Sequence, residues 1–439
     1  MTAEQARELC RAWFLQTLDS LKVERRMREA VRLREGVLEI QADRYRLDSF
    51  DEIRAVAFGK AAVEMTAALS PILTDAPLRG IVVAPGFPQT PLPGFRYFAG
   101  GHPYPNEQSW LAAEAVWEFL GNLSPNTLVL FLISGGGSAL LEMPLDRSVS
   151  LDDIRGFHEA LVNCGASIQQ MNTLRKHCSA IKGGRLAERA APATQITLYV
   201  SDVPEDLPSA VASGPTLPDE TNVADCRRIA ARYNLLDRFP PSICKLLEWE
   251  SLPETPKSGH PCFAKSRYYC LLSNRDGVEK LLELARAEGI FAEADNRCDD
   301  WELPPAADYL LGRLESLRQR HPGRPVTLIS GGELSCAVRG TGIGGRNQAF
   351  VLDCVSKVEG QSLVVLSAGT DGIDGNSPAA GAIADGATAE RARKLGMDPK
   401  EYLQRSDSYS FFAKLGDAMV TGPTGTNVRD LRILLAYPD

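Results

Sequence analysis

The chain has 439 residues, 44% hydrophobic and 24% charged, the composition of a globular protein too long for one ordinary core, so two domains are expected. Its 48 basic and 56 acidic residues leave a formal charge of −8, which offers no broad footprint for nucleic acid or an anionic membrane, so an anionic ligand needs a local cluster of cations. The ten cysteines never fall at CxxC spacing, which argues against a zinc site or a redox motif and for reduced thiols in a cytoplasmic protein.

Residues 3–35 read as helix, because Ala6, Leu9, Trp13, Phe14 and Leu18 recur at helical spacing. The segment lacks a basic start followed by an apolar run, so no signal peptide is expected. No stretch reaches the length of a membrane span. Residues 53–58 form a strand ending in Gly59 and Lys60, followed by a helix over 61–69. A strand over 80–84 and a helix over about 107–121 come next. The strand 127–133 (TLVLFLI) runs into Ser134, Gly135, Gly136, Gly137 and Ser138. Three glycines let the backbone approach a ligand, and a helix start beyond them would offer N–H groups to a phosphate or carboxylate. The loop has neither the Gly-Lys-Ser/Thr of a Walker A motif nor GxGxxG. A purely structural turn is the alternative.

Helical patterns at 151–170 and 183–190 flank RKHCSAIKGGRL (175–186). This run gathers Arg175, Lys176, His177, Lys182 and Arg185 beside Gly183 and Gly184. Such cations neutralise phosphate oxygens; the alternative is a solvated helix face. The strand 195–200 ends in Ser201 and Asp202, where a carboxylate can hold Mg²⁺, accept a proton or cap the loop. A Pro-, Ser- and Gly-rich loop continues to 219. Pro240, Pro241, Pro253, Pro256 and Pro261 make 239–261 the expected linker.

Beyond it come a strand over 268–273, a helix to about 288, a helix near 305–320 and a strand over 326–330 ending in Gly331, Gly332 and Glu333. Four more glycines lead to Arg346 and Asn347, before a helix over 348–358. A guanidinium delivered this way suits a phosphate or carboxylate; a hairpin with a surface arginine is the alternative. The strand 363–366 precedes a loop carrying Thr370, Asp371, Asp374 and Asp385. The bidentate Glu of an EF-hand is missing, which leaves Mg²⁺ binding with substrate phosphates as the metal reading. The loop 421–431 reads only as a turn. Apolar strands alternating with helices predict an α/β chain with a parallel sheet, whose ligands sit beyond the strands' carboxyl ends.

Eight blocks, in one order from about residue 55 to 435, resemble the glycerate kinase family whose C-terminal region is the MOFRL domain. They are GKAA (59–62), GHPYPNEQS (101–109), SGGGSALL (134–141), RKHCSAIKGGRLA (175–187), SDVPEDLPSAVASGPT (201–216), GGRNQ (344–348), SAGTDGIDG (367–375), and DSYSFF (407–412) with TGPTGTNV (421–428). The chain departs from the family pattern at Asn106, Glu205, Ala349, Ser377 and Pro378. The resemblance implies an N-terminal Rossmann-like domain (1–245) and a smaller α/β MOFRL-type domain (260–439), with the active site between them and the last segment a candidate to pack back on the first domain. It implies ATP- and Mg²⁺-dependent phosphoryl transfer to D-glycerate, giving 2-phosphoglycerate. The implied partners are ATP and D-glycerate, with no nucleic acid and no membrane, in a monomer or homodimer.

By that resemblance Lys60 and Arg346 are the catalytic cations. Asp202 is expected as the third catalytic group and, with Asp371, as a metal carboxylate. Ser134, Gly135, Gly136, Gly137, Ser138, Arg175, Lys182, Gly183, Glu333, Asn347 and Thr370 are the expected substrate and nucleotide contacts. The rival readings are an NAD(P)H-dependent hydroxypyruvate reductase, a kinase for another small hydroxy acid, and a ligand-binding regulator without catalysis.

Overall fold

A strand such as TLVLFLI, buried along its whole length, needs cover on both faces, and the topology supplies it. The computed structural model describes residues 1–74, 78–204 and 207–438; Glu205 and residue 439 lie outside the described residues. The chain divides into two units, Val23–Leu271 and Met1–Lys22 with Leu272–Asp439.

The unit Val23–Leu271 opens with a helix, Val23–Ala30, and a small antiparallel sheet of β1 (Val31–Arg34), β2 (Val37–Ile40) and β3 (Asp43–Arg46). The predicted helix over 3–35 therefore ends early. Glu35 and Gly36, both at positive φ, make the two-residue turn that joins β1 to β2.

The main sheet of this unit has six strands: β4 (Glu52–Phe58), β5 (Leu78–Ala84), β6 (Phe95–Ala99), β7 (Thr127–Ile133), β8 (Thr194–Val200) and β9 (Ser266–Leu272). Their spatial order is β6-β5-β4-β7-β8-β9, and the pairings from β6 through β8 are parallel. Counted from β4, this is the 3-2-1-4-5-6 order of a doubly wound, Rossmann-like sheet. The order reverses between β4 and β7, and the crevice beyond their carboxyl ends is where such sheets take ligands.

Two predicted features change. The expected linker contains a helix, Pro241–Glu248, with Pro241 in the first turn, where its missing N–H leaves no bond unmade. The strand predicted beyond the linker, inside the expected 260–439 domain, is β9, at the edge of the first sheet.

The other unit holds β10 (Phe291–Ala294), β11 (Val326–Gly331), β12 (Leu363–Gly369), β13 (Gly381–Asp385), β14 (Ala418–Met419) and β15 (Asp430–Ala436), in the order β10-β11-β15-β12-β13-β14. β10 and β11 are parallel, and the other pairings are antiparallel. The closing segment is a central strand of the second sheet. Helices Leu303–Arg320 and Arg346–Lys357 cover one face, with Leu310, Leu314, Phe350 and Val351 against Val326, Leu328, Val365 and Leu434. Helices Ala3–Ser20 and Asn274–Ala287 pack on β12 and β11. The first helix, which the expected 1–245 division places with the N-terminal domain, is tied to this unit by buried Arg7. Its guanidinium donates to Asp385 Oδ2 at 3.0 Å and to Asp417. Among the described residues no helix is long and apolar enough to cross a membrane.

Candidate active site

Backbone bonds draw the ends of β4 and β7 together at the switch point. Gly59 N donates to Val83 O (3.1 Å), Lys60 N to Gly135 O (2.9 Å) and Ser134 N to Phe58 O (3.1 Å). Ser134 Oγ accepts from Ala61 N at 2.9 Å. Gly59 has φ +125°, and a Cβ there would lie 2.2 Å from Ser134 Oγ, so only glycine lets the two strand ends meet.

The glycines of the β7 loop are close-approach sites. A Cβ on Gly135 would fall 1.8 Å from Asp202 Oδ2, which puts the Asp202 carboxylate against the loop backbone. A Cβ on Gly136 would lie 3.0 Å from His102 Cδ2 and 3.2 Å from Lys60 Cγ. One on Gly137 would meet Ala212 and the Phe58 ring. The helix beyond the loop runs only over Gly137–Leu140, so the expected helix-dipole contribution is small and close backbone approach is what the loop offers. Ser138 Oγ hydrogen-bonds Ser213 Oγ at 2.8 Å. Lys60 is exposed. Burial, and after it the Lys60 ammonium, pushes the His102 imidazole below its ordinary pKa, which favours its neutral form.

A cavity of about 340 Å³ opens beside Gly136, lined by His102, Pro103, Tyr104, Gly136, Ser138, Ala139, His158, Val162 and Arg175. The cation run borders it from the helix Ile168–Cys178. Ser167 and Gln170 cap that helix reciprocally, and Arg175, Lys176 and His177 fill its last turn, where positive charge complements the helix dipole.

Lys182, an expected phosphate ligand, is instead fully buried and paired with Glu142. Lys176 Nζ donates to Asp219 Oδ1 at 3.2 Å, His177 Nδ1 to Thr173 O at 2.9 Å, and Arg185 to Pro253 O at 3.0 Å. Gly183 sits at φ +60° among Thr255 and Lys176 and donates to Ser213 O, so it shapes the turn. Of these residues Arg175 lines the cavity.

The second unit carries its own charged group. Arg346 opens the helix Arg346–Lys357 and is gripped by Asp430, through Nε at 2.6 Å and Nη2 at 3.1 Å. Nη2 also meets Glu333 at 2.9 Å. Burial pushes the guanidinium down, but Asp430 and Glu333 outweigh it and raise it further above its ordinary pKa. Asp371 and Asp430 both border Gly369, where a Cβ would be 3.1 and 3.4 Å from their Oδ1 atoms.

Asp374 caps the Arg346 helix, accepting from Asn347 N (3.1 Å) and Gln348 N (2.8 Å). Burial pushes its carboxyl up to about 6. Asn347, an expected contact, is buried and accepts from Ser367 Oγ at 2.6 Å. Thr370, another, is buried and bonds Arg429 O and Val428 N. Both order the unit's interior. Three departures from the family pattern are likewise structural. Asn106 caps the helix Glu107–Phe119, Ser377 accepts from Gln348 Nε2, and Ala349 is buried.

A family model described as a domain of unknown function (DUF4147) matches residues 9–248, and one described as the MOFRL family matches residues 326–430. The D-glycerate 2-kinase of Thermotoga maritima is 37% identical over 389 residues, covering 88% of this chain and 91% of its own. The chain belongs to the glycerate kinase family. A crystal structure of glycerate kinase from Thermotoga maritima matches with a TM-score of 0.86 at 34% identity, covering 99% of this chain and 100% of that one. A relative from Agrobacterium vitis, 38% identical over 87% of this chain and 86% of its own, carries the name putative hydroxypyruvate reductase. The glycerate kinase resemblance drawn from the eight blocks therefore holds. His102, Glu142 and Asp430 escaped the sequence reading. His102 stood within a quoted block, and Asp430 closes the loop read only as a turn.

Proposed function

We propose that the chain transfers the γ-phosphoryl group of ATP to D-glycerate, giving 2-phosphoglycerate and ADP. The observation that carries this reading is the convergence of Lys60, the Gly135–Gly137 backbone and the Asp202 carboxylate at the switch point of a doubly wound sheet, in a member of the glycerate kinase family. The transfer breaks the bond from the γ-phosphorus to ADP and forms one to the acceptor hydroxyl oxygen. Little covalent work falls to the protein, and positioning and charge stabilisation dominate. Lys60 supplies a mobile ammonium for the transferring phosphoryl group. Asp202, pressed on Gly135, orients the acceptor hydroxyl. In the other unit, Arg346 is a rigid guanidinium braced by two carboxylates, a group suited to a phosphate or carboxylate.

Among the described residues no three His, Cys, Asp or Glu gather as a metal group. Mg²⁺ brought with a nucleotide needs only one or two carboxylates beside phosphate oxygens, and Asp202 and Asp371 each fit that requirement. When bound, the ion neutralises phosphate charge.

D-glycerate-dependent ADP release, with the product identified by ³¹P NMR, tests the reading; release that is independent of D-glycerate would sink it. The reductase alternative is disfavoured by the first βα turn, which reads Gly59-Lys60-Ala61-Ala62 rather than GxGxxG. Oxidation of NADH by hydroxypyruvate would restore it.

Two variants probe the site. Gly135 is not at positive φ, so Gly135→Ala acts through its clash with Asp202. A flexible carboxylate can swing away, so melting should change little while kcat/KM falls about 100-fold. In an Asp202→Ala background the same change should add almost nothing; a full additive loss would separate Gly135 from Asp202. Arg346→Lys loses the planar fork and should lower kcat about 100-fold. An unimpaired enzyme would make Arg346 peripheral.

A further inference from the structure

Of the five cations in the run 175–186, four have internal partners. Lys182 pairs with Glu142, Lys176 with Asp219, His177 with Thr173 O, and Arg185 with Pro253 O. Arg175 differs in lining the cavity. Its Nε, like that of Arg185, is buried without a hydrogen-bond partner among the described residues. Its Nη1 makes only a long bond, 3.5 Å, to Asn172 Oδ1. The acid that acts on it electrostatically is Glu142. That carboxylate already accepts from Lys182, Ser179 Oγ, Met143 N and His158. A guanidinium held in a mostly buried wall without its own counter-charge is costly unless an anion arrives.

We infer that Arg175 is the carboxylate anchor of the acceptor site, so that the cavity selects a short hydroxy acid over an uncharged polyol. The inference rests on the kinase reading above and names the group that reads the acceptor. Arg175 lines the cavity together with Gly136 and Ser138. A polar chain runs along that wall from Arg175 to Asn172, then Ser213, then Ser138 at the glycine loop. Lys60 Cγ stands 3.2 Å from where a Gly136 Cβ would be. A three-carbon hydroxy acid whose carboxylate sits on the planar fork of Arg175 would extend its hydroxyl toward Gly136 and Lys60. A guanidinium matches a planar carboxylate bidentately, which a lysine cannot do.

The test uses the full chain with D-glycerate, with ATP, and with glycerol as the acceptor lacking the carboxylate. Arg175→Met should raise the KM for D-glycerate roughly 100-fold and leave the KM for ATP unchanged. Its kcat/KM with glycerol should match that of the parent, so the preference for the acid collapses. Arg175→Lys, which keeps charge and stem but not the fork, should fall between, and it carries the test alone if Arg175→Met fails to fold. An unchanged KM for D-glycerate overturns the anchor while the parent's turnover leaves the kinase reading standing. A rise confined to ATP reassigns the cation to a nucleotide phosphate and also overturns it. A parent enzyme that neither turns over D-glycerate nor binds it by calorimetry removes both readings together.

Discussion

Lys60→Ala should lower kcat at least about 1,000-fold, the scale of losing a cation aimed at developing charge, while its melting temperature stays that of the parent. The side chain is exposed, and among the described residues its ammonium forms no ion pair, so its removal leaves no buried partner stranded. What changes is the charge at the crevice between β4 and β7, where Gly136 brings the backbone within reach of both Lys60 and His102. An independent readout comes from His102. Its imidazole is held low first by burial and then by the Lys60 ammonium, so removing the ammonium should let it titrate at higher pH by NMR. Near-normal turnover would take Lys60 out of the mechanism. Lost turnover with an unmoved His102 would place the ammonium elsewhere than the loop.

Much of this crevice was legible because buried strands announce themselves. A run like TLVLFLI has no polar face, and the residues that follow it must lie at a carboxyl edge, where ligands bind. Gly59, Ser134–Gly137 and Asp202 were found by that logic, and the structure brings them together. The charge run 175–186 was legible only as charge. Sequence spacing does not show that Lys182 turns inward onto Glu142, because that pairing joins residues 40 positions apart. The two glycines at positive φ, Gly183 and Gly184, were the sign that the run turns inward instead of continuing as a solvated helix.

In the second unit the expected contacts divided for a similar reason. Arg346 keeps a charged head held by Asp430 and Glu333, whereas Asn347, one residue on, faces the core. A helix start places neighbouring side chains about 100° apart, so adjacency in a motif does not mean adjacency in a site. The strand β13 hid inside a Gly- and Asp-rich stretch, and β15, which pairs with β12 on its other side, came from the far end of the chain. The first helix showed its amphipathic face through Ala6, Trp13 and Phe14, but amphipathy says that a face is buried and not what covers it.

The largest stability effect should come from Glu142, a residue the sequence did not single out. Both its oxygens are engaged: Oε1 accepts from Ser179 Oγ at 2.7 Å and Met143 N at 3.0 Å. Oε2 accepts from Lys182 and from His158 Nε2 at 3.3 Å. Burial alone would push the carboxyl up, but the Lys182 ammonium and His158 outweigh it and hold it at about 2, against an ordinary 4.5. A carboxyl lowered in the folded state contributes stability that is complete above its ordinary value and is lost as pH falls through the folded one. Unfolding of the unit Val23–Leu271 should therefore become easier between about pH 4.5 and 2. Glu142→Gln keeps the shape but strands a buried ammonium, and should cost about 3–5 kcal/mol at neutral pH, read by denaturant titration. Removing both charges together, as Glu142→Leu with Lys182→Met, should cost less than Glu142→Gln alone, because no uncompensated charge remains. If the double change proved as damaging as the sum of its parts, the pair would be acting through packing rather than charge. The acid-labile window would then disappear from the explanation as well.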